Sequence, residues 1–480
     1  MKPARTTPPT AGNNGPMPLG LGQPIRPGRA GTRGSAFPAR ARVGTLFVLS
    51  LVWLLFEFGR PPTPPGIPLL ISAALFVYWL GRKDKQWSRH NPWWFVLLAV
   101  VAVGVTFAPN TYSVYFCARW MATLFLGVCL PLQALITTVR RLRLWIYALI
   151  GVSVYVGAWA AAHGGYGPAG AWGGQDENYV AALMAMATGL SYFSLFAEKR
   201  LIPRLLLVFS IVIFVAAIAL AQNASRGGFL ALCAVALYGV ARSPRKAMGF
   251  SVLIAGGIAL FAIAGKGFWK EIDSTTDVHE GTGDVRLELW ALGVRMWRAH
   301  PVLGVGAGNY RWVVGDYQTE AQMEKFGHSL TGSIIAHSLP VECIAELGSA
   351  GAIALLVLLG CTWRDLWRVV RQIPRPRRAS PDLDPELAQL RCYADALLGA
   401  ILGIMVAGAF LSLLWYSHLW VLLAVGSAVP FVYRRIHGPE AGGEPARPPT
   451  GRGASARRGR GLLPLARFNP GPGPGPGGRS

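Results

Sequence analysis

The feature that most constrains this chain is the recurrence of long apolar runs. Twelve of them, at 43–59, 65–81, 93–108, 114–138, 144–163, 178–197, 203–222, 227–241, 247–265, 338–363, 392–413 and 415–433, alternate with polar connectors. Each approaches the roughly 20 residues that a helix needs to cross a hydrocarbon core of about 30 Å. In lipid every backbone N–H and C=O must be satisfied internally, which selects helices. Charged residues make up only 14% of the chain and hydrophobic residues 52%, against the roughly 25% charge of a soluble domain. The pattern predicts an all-α polytopic membrane protein of about twelve transmembrane helices, and excludes a secreted enzyme or a cytosolic dinucleotide-binding fold. The first run follows a 42-residue tail and precedes many others, so it reads as an anchor and not a cleavable signal.

Connector charge then sets an orientation, because short cytoplasmic loops are enriched in Lys and Arg. Every second connector is basic: Arg82, Lys83, Lys85 and Arg89; Arg140, Arg141 and Arg143; Lys199, Arg200 and Arg204; Arg242, Arg245 and Lys246; and, within 364–391, Arg364, Arg368, Arg371, Arg375, Arg377 and Arg378. The intervening loops 109–113 and 164–177 carry none, and 223–226 carries only Arg226. Both tails are therefore expected in the cytoplasm, with spans one to nine over 43–265 and spans ten to twelve over 338–433. Residues 266–337 become one large external loop, far longer than an ordinary helix connection.

The net charge of +23 is concentrated at the ends. Residues 1–42 hold seven Lys or Arg and no acid, and residues 434–480 hold nine Arg against Glu440 and Glu444. Both tails are rich in Gly and Pro and read as disordered. Anionic membrane lipids are their expected contact. Nucleic acid is not expected, because no folded basic domain or aromatic platform accompanies the charge. The six cysteines lie in or beside apolar runs with no CxxC pair, so neither a disulfide framework nor a zinc site is indicated.

Within the large loop, residues 284–300 (DVRLELWALGVRMWRAH) have helical periodicity, with Leu287, Trp290, Val294 and Trp297 on one face. Such a helix either lies at the membrane interface or packs on the bundle. Arg226, in SRGG at 225–228, would sit at a helix N-terminus that favours an anion, where Gly227 and Gly228 would let a phosphate approach the backbone. The ordinary alternative is an arginine that snorkels to headgroups. Arg119 lies deeper in its run and is expected to meet a carboxylate or a cavity. His337 opens HSLPVECIAELGSAG, in which nine residues separate Ser338 from Gly348 and two more precede Gly351. A neutral imidazole there is suited to taking a hydroxyl proton, although a lone histidine is more often structural. The glycines of GVGAG at 304–308 read as tight turns, because neither a strand nor a P-loop lysine accompanies them. His279, His300 and His328 lack metal-ligand spacing and no HExxH occurs, so no catalytic metal and no cofactor are expected.

Three of these segments, in this order, resemble the O-antigen ligase and polymerase family of bacterial envelope glycosyltransferases. They are Ser225-Arg226-Gly227-Gly228; Arg286-x-x-Leu289-Trp290 followed by His300-Pro301 with Gly304, Gly306, Gly308 and Asn309; and His337-Ser338 through Gly348 to Gly351. The resemblance covers about residues 170–365, and QDENYV at 175–180 matches it poorly, which leaves Asp176, Glu177 and Asn178 as weak candidates. It implies a metal-independent enzyme of the inner membrane, working on the periplasmic side with an undecaprenyl-pyrophosphate-linked glycan as donor. Arg226 and Arg286 would hold the pyrophosphate, His337 would activate the acceptor hydroxyl, and Ser225 and Ser338 would contact substrate. The histidine spacing favours a ligase with a lipid A-core acceptor. A glycan polymerase, a protein O-oligosaccharyltransferase and, from another class, a secondary transporter stay open as alternatives. The transporter reading is the weakest, because no internal repeat is evident.

Overall fold

The computed structural model describes residues 44–59, 66–83, 85–171, 176–222, 225–243, 246–265, 269, 282–332, 334–374 and 383–438. The two predicted tails (apart from residues 434–438), His279 and parts of several connectors lie outside them. Contacts divide the chain into Met1–Thr45 and Leu46–Ser480. Gly44 and Thr45 are the described residues of the first unit, and the elements below concern the second.

A helix stands at each of the twelve apolar runs, and no strand occurs among the described residues. The helices are α1 (Thr45–Leu54, continued by a π turn to Gly59), α2 (Ile67–Gly81), α3 (Asn91–Val103), α4 (Thr111–Leu135), α5 (Val139–Ala162), α6 (Glu177–Ala197), α7 (Leu201–Ala219), α8 (Arg226–Arg242) and α9 (Lys246–Ile263). Three helices of the large loop follow: α10 (Thr282–Ala299) and the short α11 (Tyr310–Val313) and α12 (Glu320–Phe326). The chain closes with α13 (Leu339–Gln372), α14 (Pro385–Gly408) and α15 (Ser417–His437). Among the described residues, seven helices, α4 to α7 and α13 to α15, are long and apolar enough to cross a membrane. The apolar stretches Thr45–Gly59, Ile67–Gly81 and Asn91–Thr106 are shorter.

Helix α6 is central, packed against α14, α7 and α8. Its small residues explain the close packing: a Cβ on Gly189 would lie 2.9 Å from the Gly399 carbonyl carbon of α14. Without a hydrophobic driving force between helices in lipid, such backbone approach and interhelical hydrogen bonds carry association. Ser210 of α7 supplies one such bond, donating to Ser191 of α6 at 2.9 Å. Outside this centre, Leu201, Ile202, Leu205, Leu206 and Phe209 leave one side of α7 exposed and apolar.

Ion pairs join the basic connectors at one end of the bundle. Arg143 at the start of α5 meets Glu198 after α6 at 2.9 Å, Arg242 at the end of α8 meets Asp395 of α14 at 3.0 Å, and Arg89 before α3 meets Asp365 in α13 at 3.6 Å. The other end carries the starts of α4, α6, α8, α13 and α15, and the segment 282–337 covers part of it.

That segment has its own core. Leu289, Leu292 and Met296 of α10 are fully buried, together with Tyr310, Val313, Val314, Leu330 and Ala336. Helix α10 packs on α13, and a Cβ at Gly293 would fall 2.3 Å from Val341. The face expected from periodicity is therefore not the packing face: Leu287 is 46% exposed, and Trp290, Val294 and Trp297 are half-buried. Two bulky tryptophans outweigh the real seam, whose centre is a glycine that hydrophobic periodicity does not register.

Candidate functional site

Helix α13 breaks in its third turn, where Gly348 adopts φ 61° and ψ −163°. This region is essentially restricted to glycine, and a Cβ there would lie 2.4 Å from the carbonyl of Val302. The backbone groups around the break pair with the loop after α10. Val305 N donates to Ala345 O at 2.9 Å and Gly306 N to Glu346 O at 3.0 Å, while Ser349 N and Ala350 N donate to Pro301 O and Val302 O at 2.8 and 3.0 Å. The His-Pro-Gly segment and the Ser-x9-Gly segment are thus two halves of one interlock.

Gly304, Gly306 and Gly308 all take positive φ. They let the loop press onto α13 and onto the α3–α4 connection, where a Cβ on Gly306 would be 2.5 Å from that of Ala108. Asn309 is fully buried and exchanges bonds with Asn110: its Oδ1 accepts from Asn110 N at 2.9 Å and its Nδ2 donates to Asn110 O at 3.2 Å. The expectation that these glycines serve tight turns holds.

Glu342 and Glu346, one turn apart on α13, fasten the surroundings. Glu346 accepts from Gly308 N (2.8 Å), Tyr310 N (3.0 Å) and Trp415 Nε1 (2.9 Å), and Glu342 accepts from Leu414 N (3.2 Å). The sequence reading passed over both. Their signal was available: two acids four residues apart at the start of an apolar run need partners.

Against this frame sits His337, the residue before the N-cap of α13. Its φ is 46°, the left-handed region, and its Nδ1 is buried with no hydrogen-bond partner among the described residues. Burial lowers its pKa, the nearby Arg286 guanidinium lowers it further, and Asp176 opposes both. Arg286 lies one turn before Trp290 on α10. Asp176 caps α6, accepting from Asn178 N at 2.7 Å. Arg286 and Asp176, the latter from the weakly matched QDENYV segment, thus both act electrostatically on His337.

Arg226 is half-buried in the first turn of α8, at the same end of the bundle. Phe410 links it to the other group: its side chain would touch a Cβ placed on Gly227 at 3.1 Å, and its ring lies 6.3 Å from that of Trp290. The two glycines after Arg226 do not hold space open for a phosphate. Gly228 faces Ala181 of α6, where a Cβ would come within 2.3 Å, so they allow close helix packing. Ser225 is 2% exposed and its Oγ accepts from Gly228 N at 3.0 Å, a helix cap. Ser338 is 3% exposed and is the N-cap residue of α13 without a side-chain capping bond.

Tyr179, in the first turn of α6 after Asp176, stacks on Tyr416 at 4.4 Å and donates to Ser412 O at 3.2 Å. His328 and His300 are exposed. Among the described residues no cluster of His, Cys, Asp or Glu could hold a metal ion. The arrangement offers a neutral imidazole, two guanidinium groups and a carboxylate, suited to binding a multiply charged anion and accepting a proton.

Residues 211–356 match the family model described as O-antigen ligase. The matched segment runs from α7 through the kink of α13 and contains Arg226, Arg286 and His337, together with the whole interlock. No curated protein matches the chain.

Proposed function

We propose that this chain transfers a glycan from undecaprenyl pyrophosphate to an acceptor hydroxyl on the periplasmic side of the inner membrane, with a lipid A-core acceptor as in a ligase. The observation that carries this reading is the electrostatic influence of Arg286 and Asp176 on His337, from three distant parts of the sequence, at the bundle end where α8 opens with Arg226. The match to the ligase family over the segment holding three of these residues supports it. In this reading twelve helices span the membrane and both tails are cytoplasmic.

The reaction breaks the bond between the anomeric carbon and the pyrophosphate oxygen and forms one to the acceptor oxygen. The acceptor proton passes to the His337 imidazole, and undecaprenyl pyrophosphate leaves with its electron pair. A pyrophosphate is already a good leaving group, so the protein mainly neutralises growing charge and orients the acceptor. Arginine suits this task because its fork matches phosphate oxygens and stays charged. A single displacement inverts the anomeric carbon.

Purified chain given an undecaprenyl-pyrophosphate-linked glycan and a lipid A-core acceptor should join the two and release the carrier pyrophosphate. Lengthening of the donor glycan instead would assign a polymerase. A donor left untouched in the presence of the acceptor would overturn the reading.

A further inference from the structure

Of the arginines outside the candidate site, Arg119 meets the cavity expected of it, a cleft that Glu57 also lines, and Arg143, Arg242 and Arg89 pair with acids. Arg141 and Arg435 have no such partner: no carboxylate among the described residues lies within ion-pair distance of either. Both are held instead at the C-terminus of α4. Arg141 Nη1 donates to Leu135 O at 3.0 Å and to Thr137 Oγ1 at 3.2 Å. In the amide orientation that satisfies both of its neighbours, Gln86 accepts from Arg435 Nη2 at 3.0 Å and donates to Gln133 O at 2.6 Å. Arg82 Nη1 donates to Ala134 O at 3.4 Å. Three consecutive carbonyls at the end of one helix thus gather three guanidinium groups, and the charges of Arg82 and Arg435 both act on Arg141.

The helix end accounts for only part of this charge. A C-terminus carries roughly half an elementary negative charge, less than Arg141 and Arg435 bring even before Arg82 is counted. Arg141 is half-buried and Arg435 exposed, and Arg141 spends only Nη1, and Arg435 only Nη2, on protein acceptors. The remaining fork donors suit a phosphate. An apolar seam starts beside them. The Arg141 guanidinium lies 5.6 Å from the ring centroid of Phe47 near the start of α1, and α1 follows α5 as far as Gly59, where a Cβ would meet Val152 at 3.5 Å and Tyr155 at 3.7 Å. Val48 and Leu55 of α1 and Tyr155 of α5 are exposed along it. Tyr155 lies about 21 Å beyond Arg141 at 1.5 Å per residue, more than the roughly 15 Å of one leaflet in a core of about 30 Å. Inorganic phosphate would answer the charge and leave this seam bare. An amine headgroup would bring an ammonium into the same positive field. A phosphodiester with a net negative headgroup and acyl chains matches both, as at other basic pockets between membrane helices.

We propose that Arg141 and Arg435 bind the phosphate of an anionic phospholipid at the end of α4, with an acyl chain along the seam between α1 and α5. Arg82 adds to the field that attracts the headgroup. The site lies at the basic end of the bundle, and the assignment is independent of glycan transfer.

Native mass spectrometry of the full-length protein in detergent, with equal dioleoyl phosphatidylglycerol, phosphatidylethanolamine and phosphatidylcholine, tests it. Phosphatidylglycerol should be retained preferentially, and Arg141→Gln and Arg435→Gln should each weaken its retention about tenfold, the loss of one charge-assisted hydrogen bond. Arg435 is exposed, so its variant keeps the test decisive if Arg141→Gln fails to fold. Both tails are also basic, and Arg434→Gln controls for their charge. It removes the same charge one residue away, from a guanidinium that lies 4.7 Å from the Phe431 ring centroid, and should leave retention unchanged. Equal retention of the three lipids would overturn the proposal, as would retention unaffected by Arg435→Gln at an unchanged melting temperature. A loss in Arg434→Gln equal to that in Arg435→Gln would assign the binding to bulk charge, and displacement by millimolar inorganic phosphate would assign the site to a free anion; either result also overturns it.

Discussion

At the residue scale, His337 combines a left-handed backbone with an imidazole nitrogen that no described residue satisfies. A non-glycine residue in that region costs about 1–2 kcal/mol, and the interlock below it holds the strain. Its pKa lies below the ordinary histidine value through burial, then Arg286, with Asp176 acting the other way. The imidazole is therefore neutral near neutral pH and ready to accept a proton. Activity that needs this base should fall as pH drops, with an acid limb in kcat/KM below the ordinary value of about 6.5. Arg286→Gln removes a repelling cation and should move that limb to higher pH; Asp176→Asn removes an attracting anion and should move it lower. A purely structural role for either residue would scale the rate without moving the limb. His337→Ala should cost about 10² to 10⁴ in rate while donor binding persists, and His328→Ala should be silent. Normal transfer by His337→Ala, or a dead His328→Ala, would show that the wrong histidine carries the chemistry. The sequence singled out His337 through its spacing to Gly348, but left Asp176 weak. Its nearness to His337 depends on where α6 begins relative to α13, and nothing local encodes that.

Among the elements, the interlock of α13 with the loop after α10 explains why two glycine-bearing segments occur together in one chain. Their glycines are readable as turns from sequence. What they turn against is not, because Val302 and Gly348 are 46 positions apart and their contact needs the fold. Gly348→Ala places a side chain in a glycine-only region, which alone costs about 1–3 kcal/mol, and the Val302 carbonyl must also move. Transfer should be lost together with a lower melting temperature and faster proteolysis within 300–337. An intact loop and full activity would mean that the kink is dispensable. Asn309→Ala should cost a comparable amount, because it strands the N–H and C=O of Asn110. The helix boundaries of α10 were legible and its packing face was not: periodicity weights Trp290 and Trp297 heavily, whereas the seam runs through Leu289, Leu292, Gly293 and Met296.

For the whole molecule, helix placement was the most legible property, since apolar length alone marks each of the twelve helices to within a few residues at most ends. The connector charges separate in the same way: Arg143, Arg242 and Arg89 gather at one end of the bundle, and His337, Arg286, Asp176 and Arg226 at the other. If Lys and Arg face the cytoplasm, the candidate site faces the periplasm, where a glycan donor already carried across the membrane would meet it. Cysteine accessibility decides this directly. Cys117, Cys129, Cys343 and Cys392 are buried, and Cys233 and Cys361 are partly so, which keeps the background of a thiol label low in the folded protein. Glu324 in α12 and Lys199 between α6 and α7 are both exposed, one on each side in this orientation. In intact cells, a charged maleimide that passes the outer membrane but not the inner should label Glu324→Cys and spare Lys199→Cys, and lysis should make Lys199→Cys reactive as well. The reverse pattern would turn the site toward the cytoplasm and remove both the periplasmic donor and the acceptor from its reach. Labelling of both in intact cells would mean that the two connectors share a side and would overturn the twelve-span reading.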